Sequence, residues 1–573
     1  MVSAVSWGII RRPVQEGITP ARETKSPLGV MFLRAHIPTM TGVAVVAGVG
    51  RALLVAAVCA LLVSIGMGSA SADSASSGSD ISVAQSLGDR ELTIILRRVT
   101  SVPGPLRVDV VTHAGTAAGR LTLAATPTGV STQSTWPAPG EPTADASVEL
   151  GSTPGMYSAT VPMDRAGPWE LAVGDGTRVA RIPFVVPAQV TSPPERLVYG
   201  GFLVAGVLLP VAVVIAIRAR RSVWALVPAA GMVAGVAVSV TAALLSASLP
   251  LPPQPGGQLD PTLDNVTDPY AVKQPLISDF SRPPVLLTVA GGPMTVGRPG
   301  DLDLILIDAA TGALVDDLIV HDNALMHLLL VGPNGRLSHL HPIRIGPGRY
   351  QVHLAAPEAG RYALSAELAR RGGGVQMVRA ASGFTVFPGV GKPESASSTV
   401  HLGGGDKTAS TVVDGNQVTV RTTTPVAGMP TTITAEFGDA ADLQPWLGMV
   451  GHLIMAGPLP DDPDIAAAVQ NSPIWGHGHS MGATSMQGMS DMPGMDMHGM
   501  DMTEPAASRG AMLMPPANGE SMPDETVAAY GPDVPFTYTF PLAGRYRLWM
   551  QVERRYTVLT VPVVLDVAAG ARP

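Results

Sequence analysis

Residues 326–341 have the sequence Met-His-Leu-Leu-Leu-Val-Gly-Pro-Asn-Gly-Arg-Leu-Ser-His-Leu-His, which predicts a β-hairpin. An apolar run of strand length leads into Asn334-Gly335, a dipeptide typical of hairpin turns, and an alternating run follows. Because side chains alternate along a strand, a three-residue loop at 333–335 puts His327, His339 and His341 on one face. A two-residue loop would place His327 on the opposite face, and we favour the first register.

Three imidazoles on adjacent strands of one face can converge on a single ion, and imidazole suits Cu(II), Zn and Ni. The alternative is that these histidines are ordinary polar residues on a solvent-exposed sheet face, which would show the same alternation of polar and apolar residues. Three histidines at alternating spacing within so short a stretch favour a metal site instead. We therefore predict a site at His327, His339 and His341, with His321, His353 and Met326 as candidate additional ligands.

The same pattern recurs later in the chain. Gly451-His452-Leu-Ile-Met predicts a second strand of this kind, and His477-Gly-His479 is a second His-x-His pair. An Ala-Gly-Arg-Tyr motif follows each copy. Its tyrosine lies 35 residues after His327 but 94 residues after His452, so the second copy contains a long insertion. This spacing leaves the equivalence of the two His-x-His pairs open, and His452 alone is equally compatible with a buried core histidine.

The insertion contains a methionine-rich run in which Gly, Pro, Ser and Asp recur too often for a packed helix or strand. Thioethers are soft ligands that suit Cu(I) and Ag(I). A low-complexity loop with accidental methionines is the alternative, but the nearby histidines favour metal binding. The candidate ligands of this run are Met481, Met486, Met489, Met492, Met495, Met497, His498, Met500 and Met502.

Short alternating apolar runs separated by turn residues predict a mainly β fold with three β-sandwich domains, Ig-like or cupredoxin-like. The 63 glycines and 53 prolines also favour short strands over helical bundles. The predicted sandwiches cover residues 73–190, 281–388 and 397–570, with a linker at 250–280 and the Met/His-rich insertion at about 460–530.

Two apolar runs at 197–217 and 223–249 each reach the roughly 20 residues that span a bilayer. The basic turn between them, Arg218-Ala-Arg-Arg, favours the cytoplasmic side, so this transmembrane hairpin would place the domains on both sides of it outside the cytoplasm. Residues 1–72 predict an N-terminal lead and signal peptide, with an uncleaved anchor as the alternative. We expect a multi-pass protein of the cell membrane that contacts the lipid bilayer.

Composition excludes several classes of function. A net charge of −8 gives no basic surface for nucleic acid. The single cysteine, Cys59, lies in the N-terminal apolar run, which rules out a disulfide framework and a thiolate-ligated blue-copper site in the soluble parts. No nucleophile motif, phosphate-binding loop or carboxylate pair rises above chance, so we do not expect an enzyme.

The motifs resemble a known type of domain. Leu447-Gly-Met-Val-Gly-His-Leu, the His-x-His pair and Phe540-Pro-Leu-Ala-Gly-Arg-Tyr resemble repeated cupredoxin-like or Ig-like domains of bacterial membrane-anchored extracytoplasmic proteins associated with copper or other heavy metals. Residues 326–342 resemble the same module, and the first domain is similar to CopC- or YtkA-type sandwiches. The third domain departs from the pattern, because Ser480 stands where proline is expected.

Two functions follow as expectations. The first is a membrane-anchored extracytoplasmic copper-binding protein for copper sequestration, delivery or resistance, with Cu(II) at the histidine cluster and Cu(I) at the methionine-rich loop. Its partner would be another copper-handling membrane or envelope protein. The alternative is a non-catalytic envelope interaction scaffold built from Ig-like domains.

Overall fold

The computed structural model describes residues 80–97, 99, 101–128, 141–186, 193–246, 283–371, 373–390, 398–460, 464–481 and 524–570. The predicted signal peptide, the linker at 250–280 and the methionine-rich run after Met481 lie outside these residues. The mainly β fold is confirmed: β-strands form three successive two-sheet sandwiches, with two long apolar helices between the first and the second.

The first sandwich packs sheet β1-β2-β3-β6 against sheet β5-β4-β7-β8. Apolar side chains from both sheets fill the space between them, and Trp169 is among the largest that are fully buried. Its strands are β1 (Ile81–Leu87), β2 (Arg90–Leu96), β3 (Gly104–Thr112), β4 (Gly119–Pro127), β5 (Ala144–Leu150), β6 (Gly155–Met163), β7 (Gly167–Gly174) and β8 (Val179–Val186).

The second sandwich packs a larger sheet, β10-β19-β17-β13-β14 with β12 and β18 also on β17, against sheet β15-β16-β11-β9. Its strands are β9 (Val285–Ala290), β10 (Met294–Thr295), β11 (Gly300–Asp308), β12 (Leu318–Ile319), β13 (Met326–Val331), β14 (Leu337–Leu340), β15 (Ile343–Gly346), β16 (Arg349–Leu354), β17 (Gly360–Arg370), β18 (Gly374–Arg379) and β19 (Phe384–Phe387).

The third sandwich repeats this plan, with sheet β20-β29-β28-β25-β26, in which β24 also pairs with β28, against sheet β21-β22-β23-β27. Its strands are β20 (Val400–Gly403), β21 (Thr408–Val413), β22 (Asn416–Thr422), β23 (Pro430–Phe437), β24 (Leu443–Gln444), β25 (Gly451–Gly457), β26 (Ile474–Ser480), β27 (Asp533–Thr539), β28 (Gly544–Arg554) and β29 (Thr557–Val567).

The repeated Ala-Gly-Arg-Tyr motif forms a tyrosine corner of the kind found in Ig-like sandwiches. Tyr362 donates its hydroxyl hydrogen bond to Glu358 O (3.1 Å), and Tyr546 donates to Leu542 O (2.8 Å). In the first sandwich Trp169 Nε1 donates in the same way to the carbonyl four residues upstream, at 3.2 Å. The glycine that opens each of these strands has φ near +130°, which disfavours any side chain there.

Strands β13 and β25 are buried on both faces, which explains why their sequences are almost continuously apolar. Leu328 and Leu330 point into the core of the second sandwich, whereas Leu329 and Val331 pack against the third. The second and third sandwiches therefore share an apolar interface between their larger sheets. The histidines occupy one end of that interface.

The first sandwich closes over the end of this interface. Ala84 N donates to Asn323 O (2.7 Å) and Ser86 N to His341 O (2.8 Å), so β1 is tied to the second sandwich. Ala114 N donates to Tyr556 O in the third sandwich, also at 2.7 Å. All three sandwiches thus meet beside the histidines.

The two apolar helices are α1 (Pro193–Arg218) and α2 (Leu226–Ser246), joined by a 3-10 turn at Ser222–Ala225. Both are long and apolar enough to cross a membrane, and only 6% and 17% of their most apolar windows are buried, unlike the core helices of a soluble protein. They pack through small residues: Ser239 Oγ donates to Val198 O (2.8 Å), and Gly235 lies against the backbone of Gly201.

Candidate metal centre

Six histidines lie together where the second and third sandwiches meet, three from each. Nine pairs of their rings have centroids 4.4–5.8 Å apart. Each triad brings one nitrogen per ring within 4.8 Å of the other two, close enough to hold one ion. We call the two sets triad A (His327, His339, His341) and triad B (His452, His477, His479).

Triad A follows from the hairpin register. Leu329 pairs with His339 and Val331 with Leu337, which is the three-residue-loop register favoured above. The turn is closed by Gly335 N, which donates to Gly332 O at 2.9 Å. With this register the three rings share one face of the hairpin, and that face meets the third sandwich.

Triad B is the structural equivalent of triad A, a question that the sequence left open. Ile454 pairs with His477 and His452 with His479, so the third sandwich has the same offset as the second. Part of the extra chain between β25 and β26 forms a short helix, α3 (Ile465–Gln470), that docks on β17 through Gln470. The first part of the insertion predicted at about 460–530 therefore forms α3 and β26. Strand β26 pairs with β25 at the end of the sheet, and α3 packs at the interface between the domains.

The distances between facing nitrogens suit a metal ion. His327 Nδ1 lies 3.1 Å from His339 Nε2, and His452 Nδ1 lies 3.3 Å from His477 Nε2. Two nitrogens bound to one tetrahedral ion at about 2.0–2.1 Å each would lie about 3.3 Å apart. Both triads therefore have ligand spacing close to that of a metal-bound set.

The opposite nitrogens of most of these rings are held by polar groups, as is usual for histidines that bind metals. His327 Nε2 contacts His321 O (3.1 Å) and His452 Nε2 contacts Trp446 O (3.0 Å), again in equivalent positions. His339 Nδ1 contacts Gln551 Oε1 of the third sandwich at 2.9 Å. His341 Nδ1 contacts the Glu91 carboxylate, which comes from the first sandwich.

Several nitrogens are buried without any hydrogen-bond partner. Two of these atoms are His341 Nε2 and His479 Nε2, whereas the Nδ1 atoms of His477 and His479 make no hydrogen bond but face the carboxylates of Glu367 and Asp322. The side chains of His477 and His479 are 0% and 2% exposed, so bulk water does not reach them. A buried polar atom without a partner costs about 1–3 kcal/mol, and a bound ion would remove part of that cost.

Burial keeps four of the six rings neutral. Burial, followed by the neighbouring imidazoles, lowers the pKa of His327, His339 and His479 well below its usual value and that of His452 to about 3. Neutral imidazole is the form that binds a metal ion. These four rings therefore need not lose a charge-carrying proton before they bind a metal ion.

A carboxylate group lies beside triad B. His321, Asp322 and Glu367 also have ligand atoms within 4.8 Å of one another. Glu367 Oε2 lies 3.3 Å from His477 Nδ1, and Asp322 Oδ2 lies 3.5 Å from His479 Nδ1. Burial opposes protonation of His321, but hydrogen bonds to these two carboxylates raise its pKa to about 9.

The other residues that the sequence predicted as metal ligands lie in three different places. His353 binds Asp301 (2.6 Å) and Arg178 (2.8 Å) away from the triads, because it lies on β16 in the opposite sheet. Met326 points into the core of the second sandwich. Met481 lies at the end of the described residues just after β26, and the other candidates of the methionine-rich run lie beyond them.

Sequence analysis missed five residues of this site, which are Trp446, Glu91, Gln551, Asp322 and Glu367. Trp446 packs its ring 4.9–5.8 Å from those of His339, His341 and His452, and Glu91 and Gln551 orient ligands of another domain. The Leu-Gly-Met-Val-Gly-His motif that follows Trp446 was the only signal near it. Nothing in the sequence joins Glu91 or Gln551 to a histidine in another domain.

Comparison with protein families gives one match. A model described as a domain of unknown function, DUF8832, matches residues 518–569, a small part of the chain that includes β27, β28 and β29. This stretch contains Gln551 but none of the six histidines. No curated protein matches the sequence.

Solved structures with similar segments include FdeC, an Escherichia coli adhesin, at 12% identity over 86% of this chain and 98% of that one, with a TM-score of 0.13. A Corynebacterium diphtheriae protein described as membrane anchored has 8% identity over 86% of this chain and 97% of that one, with a TM-score of 0.13. Salmonella alpha-2-macroglobulin has 10% identity over 85% of this chain and 24% of that one, with a TM-score of 0.16. Scores this low identify no counterpart of the three-domain arrangement.

Proposed function

We propose that this protein is a membrane-anchored copper-binding protein that acts outside the cytoplasm, in copper sequestration, delivery or resistance. The observation that carries the proposal is the centre of six buried imidazoles, in which facing nitrogens have metal-ligand spacing. An interface stabilised only by packing would gain nothing from burying partnerless ring nitrogens.

The donor set favours copper. An all-imidazole set suits copper and zinc, whereas Mg, Ca and Mn prefer oxygen ligands. The methionine-rich run begins directly after β26, the strand that carries His477 and His479. Its thioethers suit Cu(I) but not zinc, so imidazoles and thioethers in sequence proximity point to copper in both oxidation states.

A metal titration of the full-length protein in detergent tests the proposal. Chelator-treated protein would be loaded with Cu(II), with Zn(II), or with Cu(I) under reductant, freed of loose metal, and analysed for bound metal. We expect Cu(II) to be retained, and to be lost in the double variant H339N/H477N. The matched control is H401N, which changes an exposed histidine on β20.

Two results would contradict the proposal. Failure of the wild type to retain Cu(II), or equal retention in the double variant, would mean that the centre does not bind copper. Retention of zinc in strong preference to copper would assign the site to a structural zinc ion.

The envelope scaffold remains the second candidate function. The observation in its favour is the apolar interface between β13 and β25, in which side chains other than the histidines pack the two sandwiches together. This alternative predicts no metal retention and an unchanged fold in the double variant, so the same titration separates the two functions.

A further inference from the structure

We infer that the two triads form one dinuclear centre, in which two Cu(II) ions are bridged by hydroxide or another small anion. This inference rests on the proposed function and specifies the site further. Two separate mononuclear sites, one in each sandwich, would bind the same total of copper but would not interact.

The triads are in direct contact. The ring of His477 in triad B lies 5.1 Å from that of His327 and 5.2 Å from that of His339, both in triad A. The spacing within triad A is 5.0–5.3 Å. The ring of His477 is thus as close to triad A as the rings of triad A are to one another, and His339 also lies 5.8 Å from His452, so no protein layer separates the two sets of ligands.

The orienting groups cross between the domains. Gln551 of the third sandwich contacts His339 of triad A, while Glu367 and Asp322 of the second sandwich lie beside His477 and His479 of triad B. The orienting groups of each triad are therefore complete only when the two sandwiches are docked. This reciprocal arrangement fixes both triads relative to each other and not only within their own domains.

The ligand count leaves room for a shared anion. Three imidazoles leave an open position on a four-coordinate ion, as in catalytic metal sites. Ions in two-metal sites lie about 3.5–4 Å apart, a separation that one small anion can bridge. Since Trp446 and the buried rings exclude bulk solvent, the bridging position suits a small ligand rather than a large one.

Copper analysis combined with electron paramagnetic resonance tests the inference on the full-length protein. We expect two Cu(II) ions per chain, with a spin count well below two or a half-field transition, either of which shows interacting ions. H341N and H479N each remove a ligand from one triad. Each should then bind one Cu(II) that gives the full signal of an isolated ion.

The outcomes separate the two proposals. No retained copper would overturn the proposed function itself. One ion per chain in the wild type, or two ions with a full spin count and no half-field transition, would overturn the dinuclear centre while leaving copper binding intact. The wild-type measurement decides this even if a variant fails to fold.

Discussion

At the scale of single residues, the proposed copper centre depends on a side chain outside both triads, Gln551. Gln551 is 3% exposed; its amide oxygen accepts from His339 and its amide nitrogen donates to Thr560 Oγ1 at 2.9 Å. The amide thus fixes both the tautomer and the direction of the His339 ring. Loss of such an orienting partner usually weakens metal binding 10- to 100-fold.

We therefore expect Gln551→Leu to weaken Cu(II) binding by about tenfold or more, because His339 loses its acceptor while the volume is nearly kept. Gln551→Glu retains an oxygen acceptor and should restore most of the affinity. Gln417→Leu, on an exposed position of β22, is the matched control. Competitive titration against a chelator measures all three, and equal affinity of the wild type and Gln551→Leu would remove this role.

At the scale of elements, we propose that the methionine-rich run is a ligand set separate from the triads. Its composition favours an irregular chain that orders when a soft ion arrives, so affinity should be lower than at a preformed site. We expect replacement of the eight methionines from Met481 to Met502 by serine to abolish the additional Cu(I) and Ag(I) uptake. Cu(II) retention at the triads should persist. Unchanged Cu(I) uptake in a Cu(I) titration would show that the run is a passive loop.

The helical hairpin provides a second prediction at this scale. A Cβ atom on Gly235 would lie 2.7 Å from Gly201 O, whereas one on Gly206 would meet nothing within 4 Å. We expect Gly235→Leu to separate α1 from α2 and Gly206→Leu to have no effect. Resistance of the helices to sodium dodecyl sulfate, followed by circular dichroism, measures the difference. Equal resistance of the two variants would mean that the helices do not pack through Gly235.

At the scale of the whole molecule, a buried ion pair links the first and third sandwiches. His113 Nδ1 lies 2.5 Å from Glu553 Oε1. Burial opposes the charge on His113, but Glu553, then Glu525 and Glu91, raise its pKa to about 9, above the 6.5 of an unfolded histidine. Its contribution to stability is therefore fully present below about pH 6.5 and is lost as pH rises through about 9.

We expect the chelator-treated protein to lose stability on the order of 3 kcal/mol between pH 6.5 and 9 through this pair. His113→Gln should be less stable at pH 6.5 and should show a flatter pH dependence up to pH 9. Burial raises the pKa of Glu525 to about 7, so its own effect falls mainly at lower pH. Denaturant melts at several pH values test this, and parallel curves for the wild type and His113→Gln would contradict it.

Membrane topology is the second prediction at this scale. The basic turn of Arg218, Arg220 and Arg221 should remain in the cytoplasm, which places the sandwiches on both sides of the hairpin outside. A reporter fused after Pro573 should be active only if it is a type that works outside the cytoplasm. Activity of a cytoplasmic-type reporter at that position would reverse the orientation.

The sequence by itself determined the mainly β fold, the two apolar helices and the hairpin register that assembles triad A. These features depend on residues close together in the chain, where side-chain alternation and turn chemistry act directly. Only the tertiary structure decided that triad B is equivalent to triad A, because part of the extra chain between β25 and β26 folds as α3. It alone showed that the two triads meet and that Glu91 and Gln551 orient ligands of another sandwich. Those contacts join residues more than 100 positions apart in the sequence. They depend on how whole sheets dock, which no local periodicity encodes.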